Sequence, residues 1–312
     1  MKKVFVTGGT GMIGLAFVRS CIRENIDVYI LVREGSAHLK RLPKSGKVHI
    51  IKGDLKHLDR IDALSIGSCD AFYHFGWIGT VHNDRNKAEL QEENIPILLQ
   101  ALNLAKQLGC RSFIGSGSQA EYGVHSDNMA RSDTITDPIT AYGICKLAAS
   151  KLGRIKAAEL GLNFVWMRIF SVYGPYEMSG TLTRMIIPKL MNNESCQLTE
   201  GIQHWDYLYC DDAGEAFLLV GKCTEKKTGY FRIFCLGSGK LRSLRSYIEE
   251  MKYVLRSDSI LEFGKIPYAN EIPNGICADI SELKTETGWM PRTDFKTGIL
   301  NVKEWIKKGV VK

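Results

Sequence analysis

Through the first half of the chain, short β-branched runs alternate with longer stretches whose apolar positions recur every three or four residues. VFVT (4–7), DVYILV (27–32), VHII (48–51), AFYHF (71–75), SFIGS (112–116) and FVWMRIF (164–170) read as strands. Helical periodicity fills 12–24, 86–108 and 141–160 between them. This alternation predicts an α/β fold, a doubly wound parallel sheet with helices on both faces. The last third has another texture, interrupted by Pro188, Pro267, Pro273 and Pro291 and with shorter helices. It predicts a smaller C-terminal α+β region, interwoven with a last strand near 230–235 that returns to the sheet. The expected division is 1–174 for the sheet domain, with later pieces at about 206–236, and 175–312 for the smaller region.

The stretch 86–108 is apolar almost all round its C-terminal half, with Ile95, Ile97, Leu98, Leu99, Leu102, Leu104 and Leu108. The stretch 141–160 adds Ile144, Leu147, Ala148, Leu152 and Ile155. One face of each can cover the sheet, and a second apolar face makes a homodimer through these two helices the expectation.

Composition changes this picture little. Apolar residues at 45% and charged residues at 24% are ordinary for a globular chain. No apolar run approaches the ~18 residues that cross a bilayer, so no membrane partner is expected. No leader pattern precedes VFVTGG, and the nine cysteines are odd in number with no C-x-x-C pair. A reducing cytoplasm and no metal site are the expectation. The net charge of +7 is spread among acids, without a nucleic-acid motif, and suits a small anionic substrate such as a nucleotide diphosphate better than nucleic acid.

Chemistry enters at TGGTGMIG, between the first strand and the first helix. Gly8, Gly11 and Gly14 are spaced to turn tightly, admit a pyrophosphate and pack the helix on the sheet, with Met12 and Ile13 heading that helix. The arrangement predicts dinucleotide binding in 1–174. At the end of the second strand, where an acid would hold the ribose of NAD(H), stands Arg33, followed by Glu34. A guanidinium there suits the 2′-phosphate of NADP(H), while Glu34 leaves NAD(H) open. Asp54, after the third strand, can meet the adenine amino group or simply cap the next turn.

YGICK places Tyr142 and Lys146 four residues apart, on one face of a helix. A lone Tyr-x-x-x-Lys carries little weight; its surroundings carry more. With TGGTGMIG, GDL at 53–55, YHFGW at 73–77, GSGSQAEYG at 115–123, RIFSVYGPYE at 168–177 and HWDYLYCDDAGEAF at 204–217, the chain resembles the extended short-chain dehydrogenase/reductase family. That family includes nucleotide-sugar epimerases, dehydratases and ketoreductases. The resemblance spans nearly the whole chain, as far as DISELKTETGWMPRTDF near its end.

It implies a Rossmann fold whose C-terminal region binds a nucleotide-diphosphate sugar. Tyr142 becomes the proton donor or acceptor, Lys146 its supporting cation and a ligand of the nicotinamide ribose, and Ser118 the partner of the reacting oxygen. Asp54, Leu55, Phe75 and Gly76 fall on cofactor-contacting segments, and Asn94 on a position where the family often carries asparagine. Trp77, Gln119, Ser171, Tyr176 and Met178 fall on the sugar side.

Departures from the family narrow the choice. Its 4,6-dehydratases carry an acid pair directly after the catalytic hydroxyl residue, where this chain has Gln119 and Ala120. Glu121 comes one place late and on an extended strand end would point away. A dehydratase is not expected. Ser171 replaces a common asparagine, and Trp205 an arginine that binds the substrate diphosphate. Arg184 or Lys189 could supply that charge, and Trp205 could equally stack on the base or fill core. Arg33 and the look of 171–177 and 198–212 favour a 4-ketoreductase of NDP-4-keto-6-deoxy sugars; an NAD-dependent nucleotide-sugar epimerase is the alternative. A non-catalytic NADP(H) sensor would commonly lack the tyrosine or lysine, and both are present.

Overall fold

In the computed structural model, which describes residues 1–124, 129–268 and 275–309, each predicted strand run joins a single sheet. The strands are β1 Lys3–Thr7, β2 Asp27–Val32, β3 Val48–Lys52, β4 Ala71–His74, β5 Ser112–Ser118, β6 Asn163–Ile169 and β7 Phe231–Leu236. They pair in parallel in the order β7-β6-β5-β4-β1-β2-β3. The chain runs outward from β1 to β3 and then returns to β4 on the other side of β1. The carboxyl ends of β1 and β4 therefore flank a topological switch point, where α/β sheets open a crevice.

The principal helices are α1 Met12–Arg23, α2 Asn94–Gln107, α3 Ala141–Leu160, α4 Leu182–Met191, α5 Cys210–Thr224, α6 Leu244–Leu255 and α7 Phe295–Lys307. Side chains alternate across each strand. Val4 and Val6 of β1 enter one core with Phe17 of α1 and Phe217 of α5, while Phe5 enters the other with Leu98 of α2 and Ala149 of α3. On that second face Phe5, Phe72, Phe113 and Phe164 form a row across four strands, with successive ring centroids 5.0, 5.3 and 5.8 Å apart. A third core joins α4, α6 and α7 to Tyr173 and Tyr209. No helix among the described residues is long and apolar enough to cross a membrane.

Two expectations need correction. The stretch 86–108 is not one helix but Ala88–Glu92 followed by α2. The break lies where the Asn94 side chain leaves the helix to bind Ile78, and Pro96 sits in the first turn of α2, where its missing N–H costs nothing. Pro188 interrupts nothing: it lies inside α4. Pro273 lies outside the described residues.

Candidate active site

The glycine loop closes on itself before α1 begins. Gly8 has φ +70°, and a Cβ there would lie 2.6 Å from the Phe75 carbonyl carbon and the Gly76 nitrogen. At Gly14 a Cβ would lie 2.3 Å from the Gly8 oxygen. Gly11, by contrast, has only the Gly8 oxygen near it, at 3.5 Å, so its outer side is open. It caps α1 without a side chain, and the first turn carries no acid. The N–H groups heading the helix through Met12 and Ile13 thus meet a bare concavity at the positive end of the helix, which fits a pyrophosphate.

Next to this loop, Thr7 Oγ1 and His74 Nδ1 share a hydrogen bond of 2.9 Å, and the Gly76 N–H donates to Thr7 Oγ1 at 3.3 Å. Leu55 packs where a Cβ on Gly76 would go, and Phe75 turns into the core against Phe17 and Phe217. Burial, with the nearby Lys146 charge, pulls the His74 imidazole from its usual 6.5 down to about 3. The unfolded chain binds a proton near 6.5 that the folded chain refuses until about 3, so His74 subtracts stability as pH falls through that window. His74→Gln is expected to flatten the decline in unfolding temperature between those pH values; an unchanged slope would refute it.

Beyond β4 the chain is held by α2. Asn94, buried at 1% exposure, accepts from the Ile78 N–H at 2.7 Å and donates to the Ile78 carbonyl at 3.1 Å. It is a clamp on this loop, not a helix-surface residue. Trp77 Nε1 donates to Gln91 Oε1 at 2.9 Å, and Gln91 Nε2 donates to the Gly79 carbonyl at 2.7 Å.

The Trp77 indole is thereby fixed against the side chains that the spacing singled out. Lys146 Nζ stands 3.7 Å from its ring centroid, and the Tyr142 ring meets it edge-on at 6.1 Å. Ser118, at the end of β5, stands beside the Tyr142 phenol, near enough to favour its ionised form. The three residues expected to work together are brought together.

Their electrostatics differ from expectation. Burial raises the Tyr142 phenol above its ordinary value, against opposing pulls from Arg85 and Ser118. Burial also draws Lys146 down to about 7. Its ammonium donates to the Ser116 carbonyl at 2.6 Å and lies 5.7 Å from the Tyr142 ring. In the unliganded chain, desolvation of both groups outweighs the help that lysine was expected to give tyrosine.

Glu121 also needs correction. Residues Gln119–Glu121 form a 3-10 turn rather than an extended strand end. Glu121 still points away, for a stronger reason. Its carboxylate is fully buried against the Arg168 guanidinium at 2.9 Å and accepts from Trp166 Nε1 and the Ser118 N–H, each at 2.8 Å. With every oxygen engaged inward, it offers the crevice no acid.

The remaining predicted residues fall in three places. Arg33 is exposed just beyond β2, beside Glu34, which pairs with Lys52 at 3.5 Å. Asp54 caps the turn Leu55–Arg60 by accepting from the Lys56 N–H at 2.8 Å. Tyr176, with φ +65°, packs its ring 5.1 Å from Trp305, and the Arg184 guanidinium lies 4.9 Å from that indole.

The strand Ser171–Tyr173 pairs Ser171 with Tyr207. Trp205 lies opposite Arg242 in a short antiparallel pair and stacks on Tyr207 at 6.3 Å, in the third core. Arg242 does not stand in for the arginine absent at 205, because it is paired with Glu250 at 2.6 Å.

Three residues were missed. Arg41 donates to the Thr10 carbonyl at 3.5 Å and lies 5.3 Å from the Tyr176 ring, joining the glycine loop to the segment after Gly174. Arg85 lies 4.9 Å over the Tyr142 ring. Asp206 is buried, accepting from the N–H groups of Gly239 at 3.1 Å and Ala278 at 3.0 Å. Only for Asp206 did a signal exist, its place beside Trp205 in the late motif.

Sequence relatives and structures of the same fold match nearly the whole length of the chain. UDP-glucose 4-epimerase of Corynebacterium glutamicum is 26% identical, covering 95% of this chain and 93% of the relative. CDP-abequose synthase of Salmonella typhimurium is 25% identical, covering 95% of each. The crystal structure of UDP-glucose 4-epimerase from Thermotoga maritima with UDP-glucose has the same fold, with a TM-score of 0.86 at 22% identity and 99% of each chain covered. Residues 4–232 match the NAD dependent epimerase/dehydratase family. The chain belongs to that family and is an enzyme of nucleotide-sugar chemistry.

Proposed function

We propose that this enzyme reduces the C4 ketone of an NDP-4-keto-6-deoxy sugar, using NADPH in the cytoplasm. The observation that carries the choice of a reductase is the cluster of cations after β2. Beside burial, the positive charges of Arg41, Arg33 and Lys40 each depress the His38 imidazole, so all three act on one point after β2. None of them is ion-paired among the described residues. Such a cluster suits a 2′-phosphate, and NADPH is the form that a reductase consumes.

The dinucleotide, when bound, supplies the hydride to C4. Tyr142 gives its phenolic proton to O4, and Ser118, beside that phenol, orients the carbonyl. Lys146 would hold the ribose hydroxyls. Gly8, Gly11 and Gly14 would admit the pyrophosphate to the N–H groups of Met12 and Ile13, with Leu55, Phe75 and Gly76 backing the loop and Asp54 available to the adenine. Trp77, Gln119, Ser171 and Tyr176 line the sugar, while Arg184 replaces the diphosphate cation absent at Trp205. The engagement of Glu121 with Arg168 speaks against dehydration.

Ile144, Leu152 and Ile155 on α3 are 52%, 42% and 67% exposed, which supports a homodimer through α2 and α3. The likeness to UDP-glucose 4-epimerase favours a second reading, NAD-dependent epimerisation by the same residues.

The test is cofactor consumption with enzymatically prepared NDP-4-keto-6-deoxy sugars, products identified by NMR. NADPH is expected to disappear in step with a new 4-hydroxy sugar, and Arg33→Ala to weaken NADPH use at least tenfold while sparing NADH. Interconversion of a UDP-sugar with no net cofactor loss would establish the epimerase instead.

A further inference from the structure

Arg85 lies in the loop between β4 and the helix Ala88–Glu92, and the family motifs give it no role. The first N–H groups of a helix lack intrahelical acceptors. At the start of α3 this loop supplies them: the Tyr142 N–H donates to the Arg85 carbonyl at 2.8 Å, and the Ala141 N–H to Asn86 Oδ1 at 3.3 Å. The backbone of Arg85 is thus locked to the backbone of Tyr142. Its Nε donates to the Thr80 carbonyl at 3.3 Å, aiming the guanidinium over the Tyr142 ring at 4.9 Å. Lys146 is turned elsewhere, donating to the Ser116 carbonyl at 2.6 Å and covering Trp77 at 3.7 Å. Arg85 is therefore the nearer of the two cations over the phenol ring, at 4.9 Å against 5.7 Å for Lys146.

We propose that Arg85 is a positioning residue for proton transfer: its guanidinium, fixed on Tyr142 through their shared backbone hydrogen bond, stabilises the phenolate that Tyr142 becomes. This rests on Tyr142 being the proton-transfer group. Around the phenol, Arg85 and Ser118 favour ionisation, while burial and the Glu121 carboxylate oppose it. Lys146, drawn to about 7 by burial, carries only part of its charge at neutral pH, whereas a guanidinium keeps all of it. Arg85 is also exposed, so its influence is screened by salt.

The test compares the wild type, R85Q, R85K, Y142F and the R85Q/Y142F double variant, each bound to NADP⁺, by ultraviolet titration of tyrosinate. The step present in the wild type and absent in Y142F belongs to Tyr142. In R85Q that step is expected about half a pH unit higher, with R85K restoring most of the difference. The alkaline limb of NADPH-dependent turnover of an NDP-4-keto-6-deoxyhexose should move with it, KM staying unchanged, and the difference should shrink in high salt. A step and limb in R85Q at the wild-type pH would overturn the role of Arg85 alone. Full turnover by Y142F would overturn the proposed function, and the role of Arg85 with it.

Discussion

Tyr142→Phe is expected to lower turnover by about 10²- to 10⁴-fold while leaving dinucleotide binding unchanged. The phenol is the one group of the cluster able to give a proton to a reacting oxygen. Ser118 stands beside it, and Lys146 directs one of its N–H groups to the Ser116 carbonyl. Removing one oxygen disturbs little else, because the ring keeps its edge contact with Trp77 and its face toward Arg85. Fluorescence titration with NADPH should give the same affinity for variant and wild type, with the loss confined to turnover. Substantial remaining turnover would remove Tyr142 from the chemistry. A lost affinity would mean instead that the substitution had damaged the crevice. Because burial raises the Tyr142 phenol above its ordinary value, the wild type should hold this proton throughout the neutral range, as the proposed proton donor must.

The sheet was legible because each strand is a compact β-branched or aromatic run, and its parallel pairing follows from the helices between the runs. The glycine loop and YGICK were legible because their geometry is local: a turn in eight residues, and one turn of helix. What stayed hidden depends on contacts between distant segments. The break before Asn94 comes from its bond to Ile78 across a loop, which helical periodicity does not register. Arg85 and Tyr142 are far apart in the chain and meet only because the loop after β4 caps α3. Pro188 sits inside α4 despite its missing N–H, where local rules predicted an interruption. Glu121 was judged by its register on a strand, when its partner is Arg168, on β6.

That partnership predicts the largest effect on stability: Glu121→Ala is expected to cost about 3–5 kcal/mol, read as a lowered midpoint of urea unfolding. Arg168 is 2% exposed and Glu121 wholly buried. Deleting the carboxylate strands a guanidinium that keeps, among the described residues, the Ser132 carbonyl at 3.1 Å and the face of Tyr122 at 4.6 Å, neither of them an anion. It also orphans Trp166 Nε1 and the Ser118 N–H. Glu121→Gln retains one acceptor and should lose less. Replacing both members with apolar residues should recover much of the loss, since the penalty lies in the unpaired charge more than in the pair itself. A midpoint in Glu121→Ala within error of the wild type would refute the pairing. The same carboxylate fixes the backbone of Ser118, so Glu121→Gln should also weaken turnover without touching any atom that faces the crevice. The acid three residues after Ser118 thus holds the end of β5 in place through Arg168, Trp166 and the Ser118 N–H.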